Sequence, residues 1–445
     1  MTKKISRRTA LKAVGGSLLG AMGVAAWWRR DDLASLVTGG EPQKVTAYAD
    51  DGPVVKRMYT RYGKELSLLG FGGMRFPTKG VSRDIDEVMA EKLIDYAYAH
   101  GVNYFDTAYF YHDGKSEAFM GKALRKYPRE SYYLCDKMPT PSVHSLAEAK
   151  EIFQTQLDRC GVTYFDNYLL HTLSSRDQFQ RLYLDGGVLA YLRHEKEQGR
   201  IKCLGFSFHG DVPFFNYLMD TFTWDCVMIQ LNYADWNDPD EEPRGNKQAG
   251  SLYRKAMEKK TPIFVMEPVQ GGNLANLPED KAAILRAANP DASQASWALR
   301  FVGSLPGIVT MLSGMSSLEQ VLDNIHTMSH FTPLSAQEQD VLRRVVGKAG
   351  TTSPIPCTYC RYCDPCPYDV DIASVFHTYN TYHTAQDEAL LLHYQVDVEK
   401  GRRASQCVGC NVCLPRCPQH IGIPAQLRQI DGKIQAIALN ERRSI

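Results

Sequence analysis

The chain has no charge of one sign to spare: across 445 residues, 51 lysines and arginines face 50 aspartates and glutamates, a formal net charge of +1. Nucleic-acid binding draws on a basic excess, so nucleic acid is not an expected partner. An easily spanning hydrophobic run is lacking too. The apolar stretch from Ala13 to Trp28 is short of the ~20 residues that cross a bilayer comfortably. With 44% hydrophobic and 23% charged residues the composition is that of an ordinary soluble protein. Cysteine is sparse over most of the length. Cys135, Cys160, Cys203 and Cys226 lie singly in apolar stretches and read as small buried hydrophobes. The other eight of the twelve fall between Cys357 and Cys417 and need a chemical reason. The length exceeds one comfortable core, which implies a large domain and a small one.

The opening MTKKISRRTALK and the Gly/Ala-rich run after it give a charged region followed by an apolar one, the form of a targeting segment. Arg7 and Arg8, with Ser6 before and Leu11 and Lys12 after, resemble the twin-arginine signal of bacterial export, with Ala10 where an aromatic is common. Ala47-Tyr48-Ala49 has the small-x-small form of a cleavage site. The alternative is an uncleaved anchor, which Trp27, Trp28, Arg29 and Arg30 would suit at a membrane interface. Residues 1–49 are therefore assigned as signal segment and linker, and a periplasmic or exported location is expected.

From Leu66 to Gly314, eight short runs rich in β-branched and aromatic residues alternate with amphipathic stretches long enough for helices. They begin at Leu66, Val102, Ser131, Tyr164, Ile201, Asp225, Pro262 and Gly307. Eight strand–helix units predict an α/β fold closed as a (β/α)8 TIM barrel, taken as residues 55–346, with its chemistry at the C-terminal ends of the strands. Those ends read Asp106, Lys137, His171, Ser207, Gln230, Glu267 and Ser313 with Gly314.

NYFDTAYFY places Asp106 and Tyr111 five residues apart, with Lys137 and His171 at the next two strand ends. In this the chain resembles the aldo/keto reductase family from about Tyr59 to Val346. The resemblance implies that Tyr111 is the general acid, that Lys137 and Asp106 tune it, and that His171 orients a substrate carbonyl. Physical chemistry supports these roles. A phenol of ordinary pKa about 10 donates poorly near neutrality, and an adjacent ammonium moves it toward the working range. The resemblance also implies a nicotinamide nucleotide held without a GxGxxG loop. Ser207 and Gln230 stand at the carboxamide contacts; Gly314, Ser316, Ser317 and Asn324 resemble the pyrophosphate and adenosine contacts at a helix N-terminus. The chain departs from the family pattern at Phe208, at Met266 and at Gln320, where an Arg often reads the 2′-phosphate, leaving NAD, NADP or no nucleotide open. A polar insertion from Asp235 to Gly250 follows a strand end and is either a lid or a plain surface loop.

After GKAGTTSPIP (347–356), CTYCRYCDPCP supplies Cys357, Cys360, Cys363 and Cys366, and CVGCNVCLPRCP supplies Cys407, Cys410, Cys413 and Cys417. The second run has the CxxCxxCxxxCP spacing of two-cluster ferredoxins, whose chemistry is [4Fe–4S]. By analogy Cys366 serves the second cluster and Cys417 the first. The shorter last spacing of the first run keeps a single cluster open, and zinc is the other alternative. Residues 350–432 are expected to form an α-helical ferredoxin-like domain. Barrel and cysteine tail together resemble the iron–sulfur branch of the aldo/keto reductases. The implied function is reduction of a small-molecule carbonyl or oxidation of the alcohol, with a membrane or periplasmic electron-transfer partner. The rival is a non-enzymatic electron-transfer subunit that keeps the barrel as scaffold.

Overall fold

A computed structural model describes residues 51–79, 84–243, 247–347, 354–383 and 387–443; the targeting segment lies outside them. Strands β1 (Lys56–Tyr59) and β2 (Lys64–Ser67) form an antiparallel hairpin. The eight strands after them are β3 (Leu69–Gly72), β4 (Tyr104–Asp106), β5 (Tyr133–Met138), β6 (Phe165–Leu173), β7 (Ile201–Phe208), β8 (Cys226–Gln230), β9 (Ile263–Met266) and β10 (Ile308–Ser313). They close in the order β10-β3-β4-β5-β6-β7-β8-β9 as a parallel barrel. Such strands are buried on both faces, which is why they read as apolar runs without alternation. The run at Leu66 divides: Leu66 and Ser67 end the hairpin, and the barrel strand starts only at Leu69.

Tyr59, Leu66, Tyr104, Leu169, Met228 and Phe264 pack with Cys135, Cys203 and Cys226 in a cluster of barrel side chains. Each large side chain fully buried there contributes about 1.5–3 kcal/mol. Three of the four lone cysteines are thus small fillers of that cluster, and Cys160 is buried in the larger core.

Local chemistry sets the helices. The helix Leu146–Cys160 begins at Ser145, whose side chain accepts from the Glu148 amide, and ends at Gly161 with φ 63°, a left-handed cap that glycine adopts without steric cost. Among the described residues no helix is long and apolar enough to cross a membrane.

The cysteine module is helical, as expected: Ile372–Tyr382, Asp387–Asp397 and Ile423–Arg443. Ile355, Phe376, Leu390 and Leu427 are among its core residues. The expected end at residue 432 falls inside the last helix, and Ile434 and Ile437 beyond it belong to the same core.

Candidate active site

Parallel register brings the polar strand ends to one mouth. Asp106 closes β4, Lys137 lies one residue from the end of β5, and His171 lies near the end of β6; Tyr111 stands in the loop after β4. The four expected residues are assembled. Lys137 Nζ donates to Asp106 Oδ1 at 2.6 Å and to the Thr107 carbonyl at 2.7 Å. The ion pair is almost fully buried, the two side chains being 1% and 3% exposed. Lys137 Nζ lies 4.9 Å from the centroid of the Tyr111 ring, and that ring is edge-on to His171 at 6.0 Å.

Burial opposes the Lys137 ammonium, but Asp106 outweighs it and the pKa rises, so this lysine stays charged. His171 is held well below the ordinary histidine value by burial, then by Lys137 and His209, and is therefore a neutral imidazole. Tyr111 differs from the expectation. Its phenol is pushed well above its ordinary value, first by burial and next by Asp106. The ammonium sits over the ring face with its charge committed to Asp106, so the arrangement does not favour the phenolate. Tyr111 is accordingly a protonated phenol, a donor that holds its proton until a stronger base meets it. Thr172, next to His171, and Glu267, at the end of β9, have positive φ of 60° and 56°, strained backbone of the kind that gathers at functional sites.

The expected nucleotide residues also reach this mouth, but their polar atoms are used within the chain. Ser207 Oγ accepts from the Thr172 amide at 2.9 Å. Gln230 Nε2 donates to Asp235 Oδ2 at 2.7 Å and to Gln419 Oε1 at 3.3 Å, and Gln419 Nε2 donates back to Gln230 Oε1 at 3.1 Å. Ser316 Oγ donates to the Arg75 carbonyl; Ser317 caps the helix Leu318–Ser329; Asn324 donates to Ser313 Oγ. The Arg75 side chain lies against Gly314, so close that a Cβ there would meet it at 2.8 Å. Asp235, the first residue of the insertion, is buried and bonded to Gln230, Asn232 and Gln270, which anchors that end of the segment.

Residues that spacing did not single out come from the cysteine module. The Tyr362 hydroxyl lies 3.0 Å from His171 Nε2 and is also hydrogen-bonded to Tyr111. Its ring packs edge-on to Phe110 and His171. Arg75 Nη2 donates to the Thr358 carbonyl at 2.6 Å, and Gly271 at φ 65° lets Thr358 approach so closely that a Cβ would meet its carbonyl oxygen at 2.6 Å. The remaining cavity, about 290 Å³, is lined by Asp106, Tyr111, Lys137 and His171 and by Met74, Met266, Glu267, Cys360, Tyr362 and Gln419 among others. Tyr362 is legible in the sequence only as the residue before Cys363, and nothing in the spacing says that it faces another domain.

The cysteines fall into two neighbourhoods. Cys366, Cys407, Cys410 and Cys413 line one small cavity. Burial pushes the thiols of Cys357, Cys360 and Cys363 up, and neighbouring sulfurs, Cys417 among them, add to the effect. This is the crossed grouping that the two-cluster analogy anticipates. Four thiolates on one tetrahedral zinc would stand about 3.8 Å apart. Among the described residues these cysteines form no group of three whose sulfurs lie within 4.8 Å of one another. Left-handed residues Tyr359, Arg361 and Asn411 punctuate the loops, and the Tyr359 amide donates to Cys357 Sγ, as in nests that hold Fe–S groups.

The aldo/keto reductase family model matches residues 68–346, more than half of the chain. The chain belongs to the aldo/keto reductase family. Residues 356–421 match the model of a 4Fe-4S dicluster domain, so this member of the family carries an iron–sulfur domain after its barrel. It is similar to the L-galactose dehydrogenase of Arabidopsis thaliana, 23% identical over 64% of this chain and 90% of that one. It is also similar to probable aldo-keto reductase 1 of Glycine max, 29% identical over 33% of this chain and 42% of the other. The chain spans about two fifths of the length of the first curated relatives it matches. An aldo-keto reductase of Bacillus halodurans in its holo form superposes with a TM-score of 0.52 at 25% identity, over 66% of this chain and 96% of that structure.

Proposed function

We propose that the protein is an oxidoreductase that reduces a small-molecule aldehyde or ketone, or oxidises the corresponding alcohol, at Asp106, Tyr111, Lys137 and His171. In this reading electrons pass through two [4Fe–4S] clusters. The observation that carries it is the buried Asp106–Lys137 pair beside Tyr111 and His171 at the barrel mouth, with the Tyr362 loop of the cysteine module set against them. A phenol within reach of both Tyr111 and His171 marks where a carbonyl oxygen is held: His171 Nε2 orients it and Tyr111 delivers the proton as charge develops. Lys137, its charge committed to Asp106, holds that carboxylate in place, with Nζ 4.9 Å from the Tyr111 ring centroid.

The clusters, when bound, supply one-electron transfer, held by Cys357, Cys360, Cys363 and Cys417 and by Cys366, Cys407, Cys410 and Cys413. Export through the twin-arginine route rests on Arg7 and Arg8, in the targeting segment; that route carries folded proteins, which suits clusters assembled beforehand. A membrane or periplasmic carrier is then the electron partner.

One observation favours the electron-transfer subunit instead, namely that Tyr362 already fills the oxygen position. Tyr111→Phe in the anaerobically purified protein separates the two readings. A fall in carbonyl turnover of about 10²–10⁴-fold with iron content unchanged supports an enzyme with this general acid; turnover that survives intact removes it. About eight irons per chain support two clusters, and about four support one.

A further inference from the structure

The family resemblance implies a nicotinamide nucleotide, and the residues present do not fit one. Its expected carboxamide partner Gln230 is closed in a reciprocal amide pair with Gln419. The oxygen position between Tyr111 and His171 holds the Tyr362 hydroxyl. Arg75, a cation beside the expected pyrophosphate contacts, packs on Gly314 and spends its guanidinium on Thr358 and on Glu267 at 3.4 Å. Glu267 itself, 12% exposed, sets a carboxylate into the groove that would receive phosphates. Gln419, Tyr362 and Thr358 all belong to the cysteine module, and each lies within two residues of an expected cluster ligand.

We infer that the cysteine module takes the place of the nicotinamide in this barrel, so that electrons reach the tetrad from the first cluster by way of the Cys360–Tyr362 loop. The inference rests on the proposed carbonyl chemistry and narrows its substrate. Delivered without hydride, the two electrons arrive singly, one from each reduced cluster. The substrate must therefore accept the first before the second. Protein-bound clusters work between about −700 and +450 mV. An isolated aldehyde or ketone resists single-electron reduction in that range, whereas a quinone accepts it because the added charge spreads over the conjugated ring.

The balanced step is quinone plus two electrons plus two protons to hydroquinone. Each cluster is oxidised by one electron, and both C=O groups become C–OH. One proton comes from the Tyr111 hydroxyl, which is restored from solvent, and one comes directly from solvent. A one-electron protein donor then returns the clusters to the reduced state. Tyr362 is a phenol held by Tyr111 and His171 as a hydroquinone hydroxyl would be, and the adjoining cavity of about 290 Å³ gives its ring room to turn aside when substrate takes over those bonds.

The full-length protein, purified anaerobically with its iron retained, is titrated with NADH and with NADPH and followed by nucleotide fluorescence. Wild type is expected to show no saturable binding up to about 1 mM, and the Tyr362→Ala/Gln419→Ala variant to bind at least about tenfold tighter. Should the double variant lose iron, Gln419→Ala alone serves, with iron and the EPR signal as controls. Saturable wild-type binding below about 0.1 mM overturns the inference, as does a variant with intact iron that gains nothing. In a second arm, pre-reduced protein is mixed with a water-soluble naphthoquinone or with butanal, and cluster absorbance is followed. The quinone should reoxidise the clusters at least about tenfold faster in wild type than in Tyr111→Phe, and butanal should leave them reduced. Equal rates in wild type and variant, or reoxidation by butanal, overturn it. Nucleotide binding, or reoxidation by butanal, defeats this inference and leaves the tetrad chemistry standing; quinone reoxidation indifferent to Tyr111 defeats the tetrad reading and, with it, the inference that rests on it.

Discussion

Replacing Lys137 by methionine tests whether the buried ion pair is what holds the site together. The ammonium makes two short bonds, to Asp106 and to the Thr107 carbonyl, and is 1% exposed. Methionine fills most of the volume but leaves the Asp106 carboxylate buried without its counter-charge, and breaking a buried pair from one side costs about 3–5 kcal/mol. For a barrel of this size that is a fall in Tm of about 6–10 °C at pH 7, at about 2 °C per kcal/mol.

The pH dependence is the sharper test. Without Lys137, burial leaves the folded-state pKa of Asp106 above its unfolded value near 3.9. Between those two values the folded protein binds the extra proton. Stability of the variant therefore rises as pH falls, by up to about 1.4 kcal/mol per unit, and its deficit against wild type is larger at pH 8 than at pH 5. Removing both charges as Asp106→Leu/Lys137→Met should recover most of the loss, because replacing a buried pair by apolar groups is often neutral. The assay is thermal unfolding by circular dichroism under anaerobic conditions for wild type, both single variants and the double variant at each pH. A Lys137→Met deficit under about 1 kcal/mol, or one equal at the two pH values, would refute the reasoning.

Gly271→Ala should loosen the module from the barrel, since a Cβ there meets the Thr358 carbonyl at 2.6 Å and the backbone has φ 65°; hydrogen exchange at residues 357–363 should quicken while the barrel core keeps its protection. His209, held down at about 3 by burial and then by His420, must stay neutral in the folded state, so stability is full above about pH 6.5 and is lost as pH falls below it. His209→Gln should flatten that acid limb by about 1.4 kcal/mol per pH unit between pH 6 and 4, read from denaturant midpoints, and an unchanged slope would count against the assignment. Cys417→Ser should perturb the cluster held with Cys357, and Cys366→Ser the one held with Cys407; EPR that changes in the opposite pattern would reverse the crossed assignment.

Much of the molecule is legible in its order of residues. Strands buried on both faces must be apolar throughout, so eight such runs, seven of them closing on a polar residue, announce a barrel and its catalytic face before any coordinate is known. The paired cysteine runs likewise announce their chemistry, because ligand spacing is local and the cluster demands it. The break at Leu68 was not legible, since Leu66 at the end of the hairpin and Leu69 at the start of the barrel strand lie in one run and only pairing partners tell them apart. Nor was the state of Tyr111: Lys137 adjacent in the mouth predicts a lowered phenol, but its depth and the prior claim of Asp106 on the ammonium decide otherwise. What the sequence determined by itself was therefore every choice that depends on period and spacing: the barrel, its polar strand ends with Tyr111 just beyond one of them, and the two cysteine runs. What only the tertiary structure decided is that Tyr362 and Gln419, about 190 residues from their partners His171 and Gln230, come to rest in the barrel mouth. Contacts at that separation are set by how two finished surfaces fit, and a single hydroxyl or amide in a loop carries no pattern that foretells the surface it will meet.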